Sequence, residues 1–354
     1  MRRARKDWVK GNRERAQRID ADNESVAMGQ EKMRPKAITI DQVGNVDGLP
    51  RGQVVEVESG RHDVRLEETG ERLACRVKRG ASTENDQSTL VVVGDYVRVQ
   101  PLEGERGLIH HVEERHTWLG RNAAGHKGME HVLAANVDLL ICVAAADRPD
   151  FRRTVIDRYI VGALLGEVTP VVVMNKIDAV EGELRELLAE EIAVYESIGY
   201  QTLLTSTLTG EGIEDLRALL HDRTSVLIGQ SGVGKSSIAN TILGSDTRRT
   251  GEVRQKDRRG MHTTISSTML DIPGGGYLID TPGLREFGIW ELEPEELDGY
   301  FVEFLDYLQE CKYLPCTHTH EPGCAVRAAV DAGEIDEGRY ASYLAIFESL
   351  KGRP

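Results

Sequence analysis

The sequence is poor in aromatic residues and contains no long apolar run. Phenylalanine, tryptophan and tyrosine together make up 5% of its 354 residues, and no stretch reaches the roughly 18 consecutive apolar residues of a membrane-spanning helix. We therefore expect no membrane partner. The first twenty residues are rich in basic side chains and lack an apolar centre, so we expect no export signal and a cytoplasmic location.

Cysteine is also scarce, and its number is odd. Five cysteines in a chain without an export signal argue against a disulfide framework and for reduced thiols or metal ligands. Cys75 and Cys142 lie in apolar stretches and are expected in the core. At 354 residues the chain is too long for one average domain, so we expect two or three.

Residues 1–36 differ in charge from the rest of the chain. The net charge of the chain is −14, whereas residues 1–18 contain eight lysines and arginines and two acids. Such a polar segment is expected to form a flexible arm. Its charge would let it bind RNA phosphates locally, and the alternative is a solvated tail that binds nothing.

Short β-rich segments separated by turn residues occupy residues 50–116. Five such segments, rich in valine and alternating between apolar and polar positions, predict a small barrel, with the fourth strand at residues 88–100. Five strands favour an OB-like β-barrel, a shape that often binds RNA, over an SH3-like barrel used only for packing. Residues 116–131 are interpreted as a connecting segment.

Residues 132–289 alternate between apolar strands and amphipathic helices. This rhythm predicts a doubly wound α/β domain with ligand loops at the carboxyl ends of its strands. Residues 290–354 are predicted to be helical, including an acidic stretch at 291–310. The sequence therefore predicts a multidomain α/β protein with an N-terminal barrel, a central α/β domain and a C-terminal helical domain.

A phosphate-loop pattern follows the fourth strand of the α/β domain. The apolar run Val226–Ile228 leads into Gly229-x-x-x-x-Gly234-Lys235-Ser236, which fits the pattern without a mismatch. Glycine lets backbone N–H groups approach phosphates closely. Lys235 would contact the β and γ phosphates, and Ser236 would ligate Mg²⁺. The expected phosphate-binding residues are Gly229, Gln230, Ser231, Gly232, Val233, Gly234, Lys235, Ser236 and Ser237.

Two further strand ends indicate which nucleotide is bound. Asn175-Lys176-Ile177-Asp178 ends one strand, where a carboxylate accepts hydrogen bonds from N1–H and the exocyclic amine of guanine; adenine offers no such donor pair. Ser206 and Thr207 end the next strand, where they would support the base. We therefore expect GTP or GDP rather than ATP, bound by Asn175, Lys176, Asp178, Ser206 and Thr207.

The strand that ends at Asp280 carries residues expected near Mg²⁺. Asp280-Thr281-Pro282-Gly283 supplies an aspartate linked to Mg²⁺ and the glycine of a switch segment. A switch threonine, which ligates Mg²⁺ only when the γ phosphate is present, is expected between the phosphate loop and Asp280. The expected magnesium ligands are Ser236, Asp280 and Thr264, with Thr263 as the alternative to Thr264.

These elements stand in an unusual order along the chain. The base-reading residues around 175 and 206 precede the phosphate loop at 229, whereas ordinary GTPases begin with the phosphate loop. The sequence thus predicts a circular permutation, which leaves the sheet intact because domain termini often lie near each other. The segment after Gly283 is then tethered to the part that changes on hydrolysis.

A segment rich in cysteine and histidine lies in the C-terminal region. Cys311, Cys316 and Cys324 with one histidine provide the four ligands of a closed tetrahedral Zn²⁺ site, which is structural because no coordination position stays open. The spacing alone leaves His318 and His320 as alternatives for the histidine.

Permuted GTPase motifs behind a small barrel, followed by Cys311-x4-Cys316-x-His318-x5-Cys324, resemble the RsgA (YjeQ) family over roughly residues 50–350. The resemblance implies a bacterial GTPase of late small-subunit maturation whose GTP hydrolysis is stimulated by the small ribosomal subunit. It also implies a barrel that contacts ribosomal RNA and one structural zinc ion. It selects His318 over His320 as the zinc ligand.

The resemblance also bears on hydrolysis. The position after the switch glycine is Leu284, which cannot orient water as the glutamine of Ras-like enzymes does. The family pattern implies that the histidine before the paired threonines takes part. The expected catalytic residues are therefore His262, Lys235 and Thr264. The basic residues between 248 and 259 are expected to bind RNA phosphates, with a solvated loop as the alternative.

The expected partners are GTP or GDP and the small ribosomal subunit with its RNA, with no DNA, and the chain is expected to be a monomer. Hydrolysis is expected to change the position of the zinc domain. Two alternatives stay open at this point. One is an RNA-binding module that acts by nucleotide occupancy rather than turnover, and the other is a permuted GTPase of the large subunit.

Overall fold

The computed structural model describes residues 48–58, 60–77, 91–122, 130–244, 266–281, 287, 289 and 292–352. The predictions for the arm at 1–36, for the basic residues between 248 and 259, and for His262, Thr263, Thr264 and Gly283 lie outside these residues. Within the described ranges, none of the helices is long and apolar enough to cross a membrane.

Five strands near the start of the described chain close into a barrel. They are β1 (Arg51–Glu58), β2 (Arg61–Leu66), β3 (Arg72–Val77), β4 (Tyr96–Leu102) and β5 (Arg106–Val112). Antiparallel pairs join β1 to β2, β2 to β3 and β4 to β5; β3 and β5 pair in parallel, and β1 with β4 closes the ring. Apolar residues at alternate positions fill the interior. The predicted OB-like barrel is confirmed.

Two details of the predicted strands were wrong. The fourth strand begins at Tyr96 rather than at residue 88, because Val91, Val92 and Val93 enter three different apolar cores instead of one ladder. Residues 116–131 are more than a connection, since β6 (Trp118–Asn122) and β7 (Glu130–Ala135) pair in an antiparallel ribbon. The glycines and histidines of that segment hid its strand pattern in the sequence.

The α/β domain is built on a sheet of five parallel strands. They are β8 (Leu139–Ala145), β9 (Thr169–Asn175), β10 (Gln201–Thr205), β11 (Thr224–Ile228) and β13 (Tyr277–Asp280). Their spatial order is β10-β9-β8-β11-β13, with every neighbouring pair parallel. All seven residues of β8 are buried, which explains its unbroken apolar sequence.

Helices cover both faces of this sheet. One core contains residues of α1 (Arg153–Leu165) and α2 (Gly182–Ser197), and the other contains residues of α3 (Ile213–Leu220) and α4 (Lys235–Leu243). Successive residues of β8 alternate between the two cores: Cys142 belongs to the first and Ile141 to the second. The doubly wound architecture is therefore confirmed.

An antiparallel strand that the sequence did not reveal joins the barrel to this sheet. Strand β12 (Ser267–Asp271) pairs with β13 on one side and with β1 of the barrel on the other. Thr268 is opposite Asp280 in β13 and opposite Glu56 in β1. Barrel and α/β strands thus form one sheet of eleven strands. A run of five residues with mixed polarity gave too little periodicity to predict it.

The C-terminal region is less helical than predicted. Residues 291–310 contain the 3₁₀ turns Pro294–Tyr300, Val302–Phe304 and Leu308–Glu310 instead of an α-helix, and α-helices follow only as α5 (Ala325–Asp331) and α6 (Glu337–Lys351). Short turns bring Phe301 and Phe304 into a core shared with Val161 and Leu165 of α1. Aromatic packing, which a charge count does not reveal, decided this conformation.

A buried arginine ties the C-terminal region to the α/β domain. Arg339 of α6 is 1% exposed, and its guanidinium contacts the carboxylates of Asp157 in α1 and Glu303, with 2.7 Å from Nε to Glu303 Oε1. The hydroxyl of Tyr195 in α2 donates to Asp157 at 2.9 Å. The guanidinium also lies 4.6 Å from the ring centre of Phe301. One cation therefore neutralises two buried carboxylates from different parts of the fold.

Replacing this cation should destabilise the protein severely. In Arg339→Leu the carboxylates of Asp157 and Glu303 stay buried without their partner, and such a loss costs about 3–5 kcal/mol. Thermal or urea unfolding would measure it. The control is Arg185→Leu, which removes an exposed ion pair with Glu211 and should cost about 0–1 kcal/mol. Equal losses for both variants would contradict the role assigned to Arg339.

Candidate functional site

The phosphate loop lies against the ends of two strands and has no room for side chains at two of its glycines. A Cβ on Gly229 would lie 2.3 Å from the carbonyl oxygen of Val143 in β8, and one on Gly234 would lie 2.3 Å from Nδ2 of Asn175 in β9. Gly234 also has φ +99°, in the left-handed region that glycine favours. The loop is therefore held by backbone contact with β8 and β9.

Lys235 begins α4, and its ammonium group lies inside the loop. Nζ donates to the carbonyl oxygens of Gly229 at 2.8 Å and Gln230 at 2.7 Å. Ser236 and Ser237 are exposed at the start of the helix, where backbone N–H groups are unpaired and the helix dipole favours anions. Ser231 and Gly232 are exposed as well, whereas Val233 is buried. The loop thus presents its backbone, a cation and two hydroxyls at one helix end.

Asn175 holds three segments of the site together. Its amide Nδ2 donates to the carbonyl oxygen of Val233 in the phosphate loop at 2.9 Å. Its Oδ1 accepts from the hydroxyl of Thr205, the last residue of β10, at 3.2 Å. The side chain is 1% exposed. Asn175 therefore positions the loop, and no sequence pattern identified Thr205 as its second partner.

Asp178 is braced by the next strand end. The hydroxyl of Ser206 donates to Asp178 Oδ1 and accepts from the backbone N–H groups of Leu208 at 3.2 Å and Thr209 at 3.1 Å. Ser206 is buried, whereas Asp178 and Thr207 are partly exposed. The carboxylate is thus fixed at an accessible position, as recognition of a guanine edge requires.

The side chain of Lys176 is held by the loop that follows β8, which no sequence pattern indicated as part of the site. Its Nζ donates to the backbone carbonyl of Arg148 at 2.8 Å, in the loop that follows β8. Its backbone has φ +63°, which starts the tight turn that carries Asp178. The structure therefore brings Asn175, Lys176, Asp178 and Ser206 together with the phosphate loop at the carboxyl ends of β8 to β11.

Asp280 lies at the carboxyl end of β13, next to the strand that leads into the phosphate loop. Val226 of β11 is opposite Ile279, the residue before Asp280. The Asp280 side chain is exposed. Among the described residues, the magnesium set predicted from the sequence therefore has Ser236 in the first turn of α4, after the loop that follows β11, and Asp280 at the end of the adjacent parallel strand β13.

A second constellation lies in the C-terminal region. The ligand atoms of four buried residues all lie within 4.8 Å of one another: Cys311, Cys316, His318 and Cys324. His318 Nδ1 is 3.6 Å from Cys311 Sγ and 3.3 Å from Cys324 Sγ. The backbone N–H groups of Ala325 and Arg327 donate to the sulfurs of Cys311 and Cys324. This cluster of three thiols and one imidazole fits a zinc site.

The structure distinguishes the two histidines. His320 is exposed, and its Nδ1 lies 2.8 Å from the hydroxyl of Thr319, away from the thiols. His318 turns Nδ1 toward the thiols and Nε2 toward Asp298 Oδ2, 3.2 Å away. A carboxylate on the far nitrogen of a ligating histidine orients the ring and increases its basicity. Asp298 is a residue that spacing in the sequence could not identify.

Glu321 orders the loop between the thiols. Its carboxylate accepts from the backbone N–H groups of Thr317 at 2.9 Å and of Thr319 and His320 at 3.1 Å. Burial alone would raise the pKa of Glu321, but a hydrogen bond from the Thr317 hydroxyl, together with hydrogen bonds from backbone N–H groups, outweighs burial and holds the pKa well below its ordinary value. The loop that carries His318 is therefore organised by a charged residue within it.

Comparison with known proteins shows which family this chain resembles. A family model described as RsgA GTPase matches residues 112–290. The chain is 44% identical over 293 residues to the small ribosomal subunit biogenesis GTPase RsgA of Chlorobaculum tepidum, with 80% of this chain and 93% of that protein covered.

Solved structures show the same architecture. YjeQ from Thermotoga maritima has a TM-score of 0.71 at 35% identity and covers 86% of this chain and 99% of its own. YloQ, described as a circularly permuted GTPase, has a TM-score of 0.68 at 27% identity and covers 88% and 99%. With its phosphate loop after the base-reading strands and its cluster of three cysteines and a histidine, the chain belongs to the RsgA GTPase family.

Proposed function

We propose that the protein hydrolyses GTP during biogenesis of the small ribosomal subunit. The observation that carries this proposal is the braced carboxylate of Asp178, which Ser206 holds in the segment whose Asn175 contacts the phosphate loop. The name of the relative from Chlorobaculum tepidum specifies small ribosomal subunit biogenesis. The proposal extends that role to this chain, together with late maturation as the stage and cytoplasm as the compartment.

The phosphate loop would hold the nucleotide through its backbone. Residues 229–237 supply N–H groups at the start of α4, and Lys235 would exchange its loop carbonyls for β and γ phosphate oxygens. Mg²⁺, which neutralises charge on the phosphates when bound, would be held by Ser236, Asp280 and Thr264. Asn175 would keep the loop in register with the guanine-reading residues.

His262 is proposed as the residue that positions water. It replaces the glutamine that Leu284 cannot provide, and it precedes the proposed switch residue Thr264 in sequence. Gly283 would be the glycine of the second switch. Ribosomal RNA bound by the barrel and by the basic residues between 248 and 259 would order this segment, which makes hydrolysis dependent on the subunit.

The C-terminal cluster is proposed to hold one structural zinc ion through Cys311, Cys316, His318 and Cys324. All four are buried, and a four-ligand set leaves no position for substrate. The metal would fix the loop between residues 311 and 324, so it supports the shape of the domain rather than the reaction. The protein is proposed to act as a monomer on ribosomal RNA, without DNA.

The first prediction from the proposed function concerns the stimulation of GTP hydrolysis by ribosomal subunits. GTP hydrolysis by the full-length protein should be slow alone, should rise strongly with small ribosomal subunits, and should not rise with large subunits. His262→Ala should abolish the rise without weakening GTP binding, since the residue acts on water and not on the nucleotide. A time course of phosphate release would measure this. Equal stimulation of GTP hydrolysis by small and large ribosomal subunits would contradict the proposed role in biogenesis of the small subunit.

The second prediction concerns base recognition. Asp178→Asn should weaken GTP binding by about 100-fold or more, because a carboxamide cannot accept from both guanine donors, and should improve binding of xanthosine triphosphate. Fluorescent nucleotide titration would measure both affinities. The control Asp222→Asn changes an exposed carboxylate beside His221 and should change neither. Tighter binding of ATP than of GTP by the wild-type protein would contradict the guanine assignment.

The third prediction concerns the metal centre. Asp298→Asn should weaken zinc binding by about 10–100-fold, because it removes the carboxylate behind His318. Competition with a chromogenic chelator would measure the affinity. The matched control is Glu295→Gln, an exposed acid of the same 3₁₀ turn. Loss of zinc should lower the unfolding temperature of the whole chain, since the C-terminal region shares a core with α1.

A further inference from the structure

Helix α2 presents a surface to the solvent that is both acidic and apolar. Residues 181–197 hold six glutamates and one arginine. Leu184 and Leu187, each 51% exposed, lie one turn apart among the acids, and the described residues include six exposed large apolar side chains in all. The α2 face is defined here by its exposed residues Glu183, Leu184, Glu186, Leu187 and Glu190.

The glutamates of the α2 face have no cation of their own. Glu186 and Glu190 are one turn apart, and like charges at that spacing repel each other. Arg185, the one cation of the helix, pairs instead with Glu211 in the loop after β10, at 2.6 Å. Within the described part of the chain, Glu183, Glu186 and Glu190 take part in none of the ion pairs. The face therefore carries uncompensated negative charge.

The α2 face lies beside the nucleotide site. The helix begins four residues after Asp178, and the ion pair of Arg185 with Glu211 joins it to the loop that begins at Ser206. Leu208 of that loop is 82% exposed. An occupant of the α2 face is therefore close in sequence and in space to the segments expected to read guanine.

The N-terminal segment of the chain has the complementary composition. Residues 1–18 lie outside the described residues, and their sequence contains eight lysines and arginines and two acids. Trp8 and Val9 are an apolar pair between Lys6 and Lys10. Cations pair with carboxylates, and a tryptophan ring covers a large apolar area. The segment thus matches the α2 face in charge and in apolar content.

The connection between this segment and the described chain is long enough to reach α2. Thirty residues separate Arg18 from Gly48, the first described residue. A chain of that length extends to at most about 100 Å, whereas a globular protein of this size is about 50 Å across. Tethering also raises the effective concentration of one part of a chain at another. A weak contact is therefore sufficient for occupancy.

Other pairings fit less well. The stretch at 291–310 holds eight acids, but the large apolar side chains of its described residues are buried or half-buried. The basic residues between 248 and 259 are accompanied by a single apolar side chain, Val253. RNA carries the same sign of charge as the α2 face, which excludes RNA as its occupant. Only residues 1–18 and the α2 face match in both properties.

We propose that residues 1–18 bind the α2 face of the same chain, with their cations on its three glutamates and with Trp8 and Val9 on its two leucines. Cations that pair with this face are not available to RNA phosphates, so docking on α2 and RNA binding by this segment exclude each other. The contact takes no part in GTP hydrolysis, and the proposal is independent of the proposed function.

Photo-crosslinking in the full-length protein tests where residues 1–18 lie. A photoreactive benzoylphenylalanine in place of Leu187 keeps the α2 face apolar, and mass spectrometry of the digested monomer identifies its neighbours. We expect crosslinks to residues 1–18 within one chain. The same group in place of Glu295, an exposed acid of the 291–310 stretch, should give none. Crosslinks to residues 1–18 from position 295 but not from position 187 would overturn the proposal, and so would their absence from both.

Removal of charge tests the attraction. Glu186→Gln/Glu190→Gln should lower the yield of crosslinks from position 187 roughly fivefold, because two exposed ion pairs are lost. The matched control Glu295→Gln/Glu310→Gln removes the same charge from the 291–310 stretch and should leave the yield unchanged. An equal decrease in both variants would show an effect of net charge alone and would overturn the α2 face as the site.

Exchange of charge separates direct pairing from damage to the fold. Glu186→Lys/Glu190→Lys should abolish the crosslinks, and the addition of Lys6→Glu/Lys10→Glu in the same chain should restore them, since opposite charges then face each other again. No restoration in a chain that unfolds at the wild-type temperature would contradict the pairing. Crosslinks that join two chains and increase with protein concentration would overturn the chain's own segment as the occupant in favour of a second copy.

Discussion

The nucleotide site depends on the contact between Asn175 and the phosphate loop. One buried amide bridges the loop carbonyl of Val233 and the hydroxyl of Thr205, and Gly234 leaves the space that this amide fills. The residues that it joins lie up to 58 positions apart along the chain. Because the contact is spatial, the permuted order of the motifs leaves the geometry of the site intact. The permutation changes which segments of the chain are connected to the site. Its consequences are therefore found in the segments that enter and leave the site.

Strand β12 shows one such consequence. It follows the segment that carries the predicted switch threonine and then pairs with both β13 and the barrel. Thr268 is therefore flanked by Asp280, a proposed magnesium-linked residue, and by Glu56 of the barrel. Among the described residues, two residue pairs join β12 to β1, and the ion pairs of Asp271 with Arg65 and Arg72 of the barrel reinforce them. Strand β12 therefore connects the barrel directly to β13, the strand that ends at Asp280.

Sequence patterns predicted the fold where one physical rule dominated. The buried strands, the phosphate loop and the order of the motifs were predictable because apolar runs and glycine spacing reflect local requirements. The sequence did not reveal β12, whose five residues show too little periodicity and whose second partner, β1, lies far away along the chain, or the ribbon of β6 and β7. The 3₁₀ turns at 294–310 were missed because aromatic packing, rather than charge pattern, sets the backbone there.

The same limit applies to the sites. Ligand types and spacing led us to predict residues for contact with a phosphate, a base or a metal. They could not predict the residues that hold those side chains in place, such as Thr205 behind Asn175 and Asp298 behind His318. Such positioning residues have no required sequence distance from their partners. Only the folded chain brings them together.

The packing of the C-terminal region also restricts how hydrolysis can be transmitted. Three of the five phenylalanines of the chain, Phe301, Phe304 and Phe347, lie in the core that this region shares with α1, and Arg339 neutralises Asp157 of that helix. Moving the zinc domain away from the sheet would expose this core and separate buried charges, at a cost of several kcal/mol. The barrel is also attached through buried residues, since Val55 of β1 lies in a core with residues of the α/β sheet. The predicted change in the position of the zinc domain stays a prediction, and a movement that keeps this shared core packed costs less free energy than one that opens it.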